Sequence, residues 1–442
     1  MPAQARISPN IISSILLALK RMSPSSPKHV LAHLIQPKPP YDYNFLDAFA
    51  TLCSFVPQCE SASAAIHKEP PLDSLYIAIN PSDPTLHALI DTLIRALPLG
   101  TGGGLSPSSS PKLAGSVDHA DGATRHFIVE AYRSCHRKFL DAVDLDDCTW
   151  LLEYVSTMSA VQLRSHGINE KKASLEDSIN SIMSSKDRDP STFSDTDFFN
   201  LHQVSQTIGE FSDMFLTCPF VIEADRISRA VNTIITWATS RDSENLDVAF
   251  VNPPNAPDFV ATTNMGELMM GDEKALYEDM SRDWKPFEPP RGMSEVEGHP
   301  GYFTGRGAVH CESALLHHIL DKRIPVHPYI GCSHPICYPC LMLLRVCGRG
   351  RSEPFTVGLR SVNLKALDVA WSCPPMGTNI YKRLERNVVA DFKEFCLHAD
   401  DGCRPGTVSL VDDGRDLVVL MARYLDFVDT SNVEMDIQPG SE

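Results

Sequence analysis

Two short clusters hold the residues whose types and spacing could do chemistry. The first is His310-Cys311-Glu312, and the second is Cys337-Tyr338-Pro339-Cys340. Imidazole and thiolate are donors that zinc prefers, and three protein donors leave the fourth tetrahedral position to water, as in a catalytic site. Zinc lowers the pKa of such a water to about 7, so hydroxide is available as a nucleophile at neutral pH. On this reading His310, Cys337 and Cys340 are the expected ligands of a Zn2+ cofactor. Glu312 is then the proton carrier, the catalytic residue, and not a ligand. Two rival readings remain open. Cys311, Cys332 and Cys347 could complete an all-cysteine structural site, and His310 could be a core histidine with no metal beside it. Glu312 speaks for catalysis, because a closed structural site has no use for a carboxylate aimed at water.

The elements that must position these groups follow from spacing. Cys337 and Cys340 stand at i and i+3, which predicts both thiolates on the first turn of a helix whose N-terminal dipole favours anions. Leu343, Leu344 and Cys347 continue its apolar face, and Gly348 ends it. His310 opens an earlier helix in which Cys311, Ala314, Leu315 and Ile319 face inward. Residues 246–251 and 259–263 read as a hairpin across a Pro-rich turn, and 326–332, 355–359 and 367–371 as further strands. A helix over 381–396 carries Leu384, Val388, Phe392 and Phe395 on one side. Helices on both faces of a mixed sheet give a three-layer α/β/α domain.

The order His310-x-Glu312, then Tyr329-Ile330-Gly331-Cys332-Ser333 leading to Cys337-x-x-Cys340, resembles the cytidine deaminase-like superfamily. Within it, the nearest likeness is to the branch of fungal and bacterial-toxin nucleic acid deaminases. The resemblance implies zinc held by His310, Cys337 and Cys340, with Glu312 as catalytic acid and base. It implies attack of zinc-bound hydroxide at C4 of a cytosine or C6 of an adenine, in a nucleoside or in single-stranded nucleic acid. One feature departs from the commoner pattern, since Pro335 stands two residues before Cys337 instead of directly before it. The resemblance covers roughly 245–400 and identifies no substrate-binding residue, although Ser333 and His334 lie near enough in sequence to be considered. The alternative function is a non-enzymatic adaptor, with a zinc-stabilised deaminase-like body and a protein partner on the helical half.

The rest of the chain sets the context. Its formal charge of −17 argues against a surface that coats nucleic acid. Residues 301–400 nevertheless carry twelve Lys and Arg against eight Asp and Glu, a local excess of four positive charges. Arg345, Arg349 and Arg351 could meet a phosphate backbone, or simply offset a helix dipole. Scattered cysteines on apolar faces suit reduced thiols and a cytoplasmic or nuclear setting. No run reaches the roughly 20 apolar residues that span a bilayer, so no membrane is expected. The apolar run 11–19 reads as an ordinary amphipathic helix, with a mitochondrial presequence left open.

Five regions are expected. These are a helical segment over 1–99, a flexible Gly/Ser/Pro linker over 100–122, a helical bundle over 123–244, the zinc deaminase-like domain over 245–400, and a strand–helix extension with an acidic tail over 401–442. Within the bundle, Phe127, Ala131, Cys135, Phe139 and Val143 read as one buried stripe and Trp150, Leu151, Tyr154, Val155 and Met158 as the next, while the polar stretch 167–197 reads as a loop.

Overall fold

In the computed structural model, the described residues are 10–21, 43–68, 74–99, 122–157, 172–186, 188–212, 215, 218–241, 246–265, 274–275, 277–278, 289, 292–348, 355–357, 362–363 and 370–399. The linker over 100–121 and everything from 400 onward lie outside them, as does most of 266–291.

The first described element is helix α1 (Ile11–Arg21), which buries Ile12, Ile15 and Leu16. Helix α2 (Asn44–Phe55) follows, then two strands, β1 (Ser61–Ile66) and β2 (Ser74–Asn80), paired antiparallel with Ala64 opposite Ile77. This hairpin corrects the expectation of an all-helical 1–99. The Ser-Ala-Ser-Ala-Ala-Ile run of β1 is buried along almost its whole length, so it lacks the polar alternation of a half-exposed strand. Helix α3 (Pro84–Arg95) is started by Asp83, whose carboxylate accepts the Thr85 N–H at 2.6 Å, with Pro84 in the first turn.

A helical bundle then interrupts the sheet. It comprises α4 (Gly122–Asp141), α5 (Leu145–Thr157), α6 (Lys172–Lys186), α7 (Asp195–Gly209) and α8 (Pro219–Thr239). The expected stripe Phe127, Ala131, Cys135, Phe139 and Val143 is buried throughout. Two expectations here were wrong. The polar stretch 167–197 contains α6, which buries Leu175, Ile179 and Ile182 at helical spacing beneath a Ser-rich surface. Trp150 and Tyr154 lie on the outside of α5, stacked on each other at 5.4 Å, while Cys148, Leu151 and Val155 turn inward.

Strand β3 (Asp247–Val251) returns to the sheet and pairs in parallel with β2, Leu75 opposite Val248. The expected hairpin therefore does not form. Instead β4 (Asp258–Thr262) joins β5 (Met293–Glu295) and β6 (Tyr302–Arg306) in a separate antiparallel sheet of order β4-β6-β5. The Pro-rich connection is too poor in donors to close a tight β-turn. Helix α9 (Cys311–Lys322), strands β7 (Gly331–Cys332) and β8 (Ile336–Cys337), helix α10 (Tyr338–Gly348), strand β9 (Val362–Asn363) and helix α11 (Thr378–Ala399) complete the described chain. The main sheet has order β3-β2-β1-β7, with β7 antiparallel to β1. Of the expected strands at 355–359 and 367–371, the described residues show single parallel bridges, Tyr329 to Thr356 and Ala308 to Trp371, and 358–359 and 367–369 lie outside the described residues.

The period-two alternation of the strands divides the interior into two cores. Ala62, Ala64, Ile66, Leu75, Ile77 and Ile79 face α2 and the bundle, where Phe45 stacks on Trp237 at 4.5 Å. Ala65, Ala78 and Val251 face the layer of α1, α9, α10 and α11. This is a three-layer α/β/α arrangement on a mixed sheet, preceded and interrupted by helices.

Between the sheet and α2 the backbones meet directly. A Cβ on Gly331 would lie 2.3 Å from the Leu46 carbonyl carbon and 2.6 Å from the Asp47 amide nitrogen, so only glycine fits there. The contact is tied by the Asp47 carboxylate, which accepts the Cys332 N–H at 2.9 Å and the Tyr329 hydroxyl. Burial pushes its pKa from 3.8 up to about 6, against the lowering effect of those two bonds. The folded value lies above the unfolded one, so the contribution of Asp47 is fully present below about pH 4 and is lost as pH rises through about 6. The difference is worth on the order of 3 kcal/mol. Asp47→Asn keeps an acceptor for the Cys332 amide. Its stability relative to wild type should therefore rise between about pH 4 and pH 7, as measured by urea unfolding of both proteins; a difference independent of pH would contradict this assignment.

Candidate metal centre and active site

His310 is the N-cap of α9, in extended conformation (φ −71°, ψ 156°), and its side chain makes no capping bond. Its Nδ1 lies 3.3 Å from Cys337 Sγ and 3.7 Å from Cys340 Sγ. The three donor atoms fall within 4.8 Å of one another and are the one such group of three among the described residues. A tetrahedral zinc with bonds of about 2.0–2.1 Å to nitrogen and 2.3 Å to sulfur places N and S about 3.6 Å apart. The observed separations fit that geometry, and a set of two thiols and one imidazole suits zinc far better than magnesium or calcium. Cys337 is the last residue of β8 and Cys340 sits in the first turn of α10, so the helix begins one residue later than the i, i+3 spacing suggests.

The surroundings of Cys340 disfavour its thiolate unless a positive charge offsets it. Burial, then the neighbouring Cys337, then the Glu312 charge push the Cys340 thiol well above its usual range, and only His310 lowers it. A thiol so placed is held as thiolate when a metal ion offsets the charge. Two further groups touch the Cys340 sulfur. The Trp371 indole N–H donates to it at 3.2 Å, and the Ser313 hydroxyl lies 3.1 Å away. Sequence reading placed Trp371 on a strand and gave it no role, because nothing local relates residues on different elements. Outer contacts of this kind orient ligands, and losing one typically weakens metal binding 10–100-fold. Trp371→Phe should lower affinity within about that range in a chelator competition, whereas unchanged affinity would make the indole a packing group only.

Glu312 follows in the first turn of α9 and is 9% exposed. Its Oε2 lies 3.8 Å from Cys340 Sγ, and the carboxylate stands beside the donor group without joining it. The cysteines of the all-cysteine alternative are engaged elsewhere. Cys311 Sγ meets the Ser61 carbonyl at 3.4 Å, Cys332 Sγ the Ile330 carbonyl at 3.7 Å, and Cys347 Sγ the Met376 sulfur at 3.8 Å. Among the described residues none of the three joins the cluster.

The remaining candidates separate. Ser333 is buried, and its hydroxyl accepts the Ala62 N–H and bonds His334 Nδ1, each at 2.9 Å, so it is not presented to a base edge. His334 points outward from the same loop, and partial burial with the charges of Arg226 and Lys138 lowers its pKa to about 4. His318 faces Tyr76 of β2 at 6.2 Å between ring centroids. Arg345 is half-buried near the end of α10, and Arg349 and Arg351 lie outside the described residues. Also among the described residues, no helix is long and apolar enough to cross a membrane.

Among protein families, residues 309–375 match the OTT_1508-like deaminase family. That stretch contains His310, Glu312, Cys337, Cys340 and Trp371. No curated protein and no solved structure matches the chain.

Proposed function

We propose that this chain, whose residues 309–375 match a deaminase family model, belongs to the cytidine deaminase-like superfamily and is a zinc-dependent hydrolytic deaminase of nucleobases. The observation that carries the reading is the grouping of three soft donors with a separate buried carboxylate inside that segment. His310, Cys337 and Cys340 would hold the ion, which when bound supplies a Lewis acid that makes water nucleophilic near neutral pH. Glu312 takes one proton from the attacking water and delivers it to the ring nitrogen beside the amidine carbon, and then takes the second proton from the new hydroxyl and delivers it to the departing amine. A C–O bond forms, the C–N bond breaks, and ammonia leaves. The Trp371 N–H and the Ser313 hydroxyl hold the Cys340 sulfur in place.

The substrate is a cytosine or adenine ring, in a nucleoside or in single-stranded nucleic acid; the local positive excess over 301–400 supports an anionic substrate. The test is ammonia release by purified protein from free bases, nucleosides, single-stranded DNA and single-stranded RNA. Ammonia from at least one class, with the exocyclic amine replaced by a carbonyl, is expected. Release from none of them by folded, metallated protein would overturn the reading.

A further inference from the structure

The loop between β7 and β8, residues 333–335, leads directly into the ligand Cys337 and carries His334 outward. Every polar group of its first residue is engaged. The Ser333 N–H donates to the Ala62 carbonyl at 3.0 Å, and its hydroxyl oxygen accepts the Ala62 N–H. With that lone pair used, the hydroxyl proton is directed to His334 Nδ1, which leaves the ring hydrogen on Nε2, where the imidazole is a donor. The Ser333 carbonyl accepts from Arg226 Nη2 at 2.9 Å. This last bond is the one that comes from outside the sheet, since Arg226 lies on α8 of the bundle. The guanidinium is itself fixed. Its Nη1 bonds both Glu223 oxygens at 2.7 and 2.9 Å, and it lies 5.6 Å from the centre of the Phe55 ring.

We infer that Arg226 is a positioning residue: through it the inserted bundle fixes the loop before Cys337 and the pose of His334 on that loop. The inference rests on the deaminase reading for its kinetic consequence. Arg226 touches neither Glu312 nor a ligand, so it acts on how the substrate is seated and not on the proton transfer. A planar fork can bind a carboxylate and a carbonyl together, which a lysine ammonium does less well and a glutamine does not replace. The bundle is then a part of the site, and a partner that moved α8 would change turnover without approaching the metal.

The experiment compares Arg226→Gln and Arg226→Lys with wild type at matched zinc content, with the melting temperature of each protein measured alongside. On the substrate found by ammonia release, R226Q should raise KM about tenfold with kcat within about threefold of wild type, and R226K should fall between. Transfer of zinc to a colorimetric chelator should be several-fold faster in R226Q, because the segment before Cys337 has lost a restraint, with R226K again intermediate. A structural role alone would lower the melting temperature and leave KM and transfer rate as in wild type, which would overturn the inference. So would a fall in kcat at unchanged KM. If R226Q does not fold, R226K carries the same comparison. If wild type deaminates nothing, the chelator rate still decides, since unchanged transfer refutes the restraint whatever the reaction is.

Discussion

Glu312→Gln should abolish nearly all turnover while leaving the protein folded and metallated. Glutamine keeps the size and hydrogen-bonding reach of the side chain, which is 9% exposed in the first turn of α9, but cannot carry a proton between water and ring nitrogen. Loss of general acid–base catalysis costs about 10²–10⁴-fold. The metal should stay, because the carboxylate stands outside the donor group of His310, Cys337 and Cys340. Removing its charge also relieves Cys340, whose thiol Glu312 pushes upward. Side-by-side assays of ammonia release, zinc content and thermal melting check all three points. Equal turnover in the two proteins would remove Glu312 from the mechanism.

Cys337→Ser or Cys340→Ser should strip the metal and destabilise the fold together. Both sulfurs sit inside the core shared by α9, α10 and α11, so an ion held by them would also link those elements. A metal present at a thousandfold over its dissociation constant contributes about 4 kcal/mol to stability, and that contribution goes with the ligand. Elemental analysis should find about one zinc per wild-type chain and little in either variant, with a clearly lower melting temperature. Cys332→Ser and Cys347→Ser should keep the zinc, because neither thiol lies in the donor group. Zinc lost from either of these would restore the all-cysteine alternative.

The centre of the molecule was legible because its signals are local. His310 as the start of a helix, the Cys337-x-x-Cys340 spacing and Gly348 as a helix end are each set by a few neighbouring residues. What the sequence hid is the origin of the sheet. The strand that receives β7 is a run of Ser and Ala at 61–66, small because α2 and α9 press on its two faces, and small residues carry little strand propensity. The strand 247–251 was found but given the wrong neighbour, because its true partner, 74–80, lies beyond a whole helical bundle. Contacts across such distances, Trp371 to Cys340 or Arg226 to Ser333, leave no mark in a single sequence. The helix at 172–186 was missed for another reason: its three buried residues are diluted by serine, asparagine and charge.

The most direct test of the central claim is metal-dependent ammonia release. Protein stripped with a chelator, protein reloaded with zinc and untreated protein are assayed together on the responsive base-containing substrate. The account predicts release by the untreated and reloaded protein and none by the stripped one, in proportion to zinc bound at His310, Cys337 and Cys340. Ammonia formed at the same rate without zinc, or none formed by fully loaded and folded protein, would contradict it.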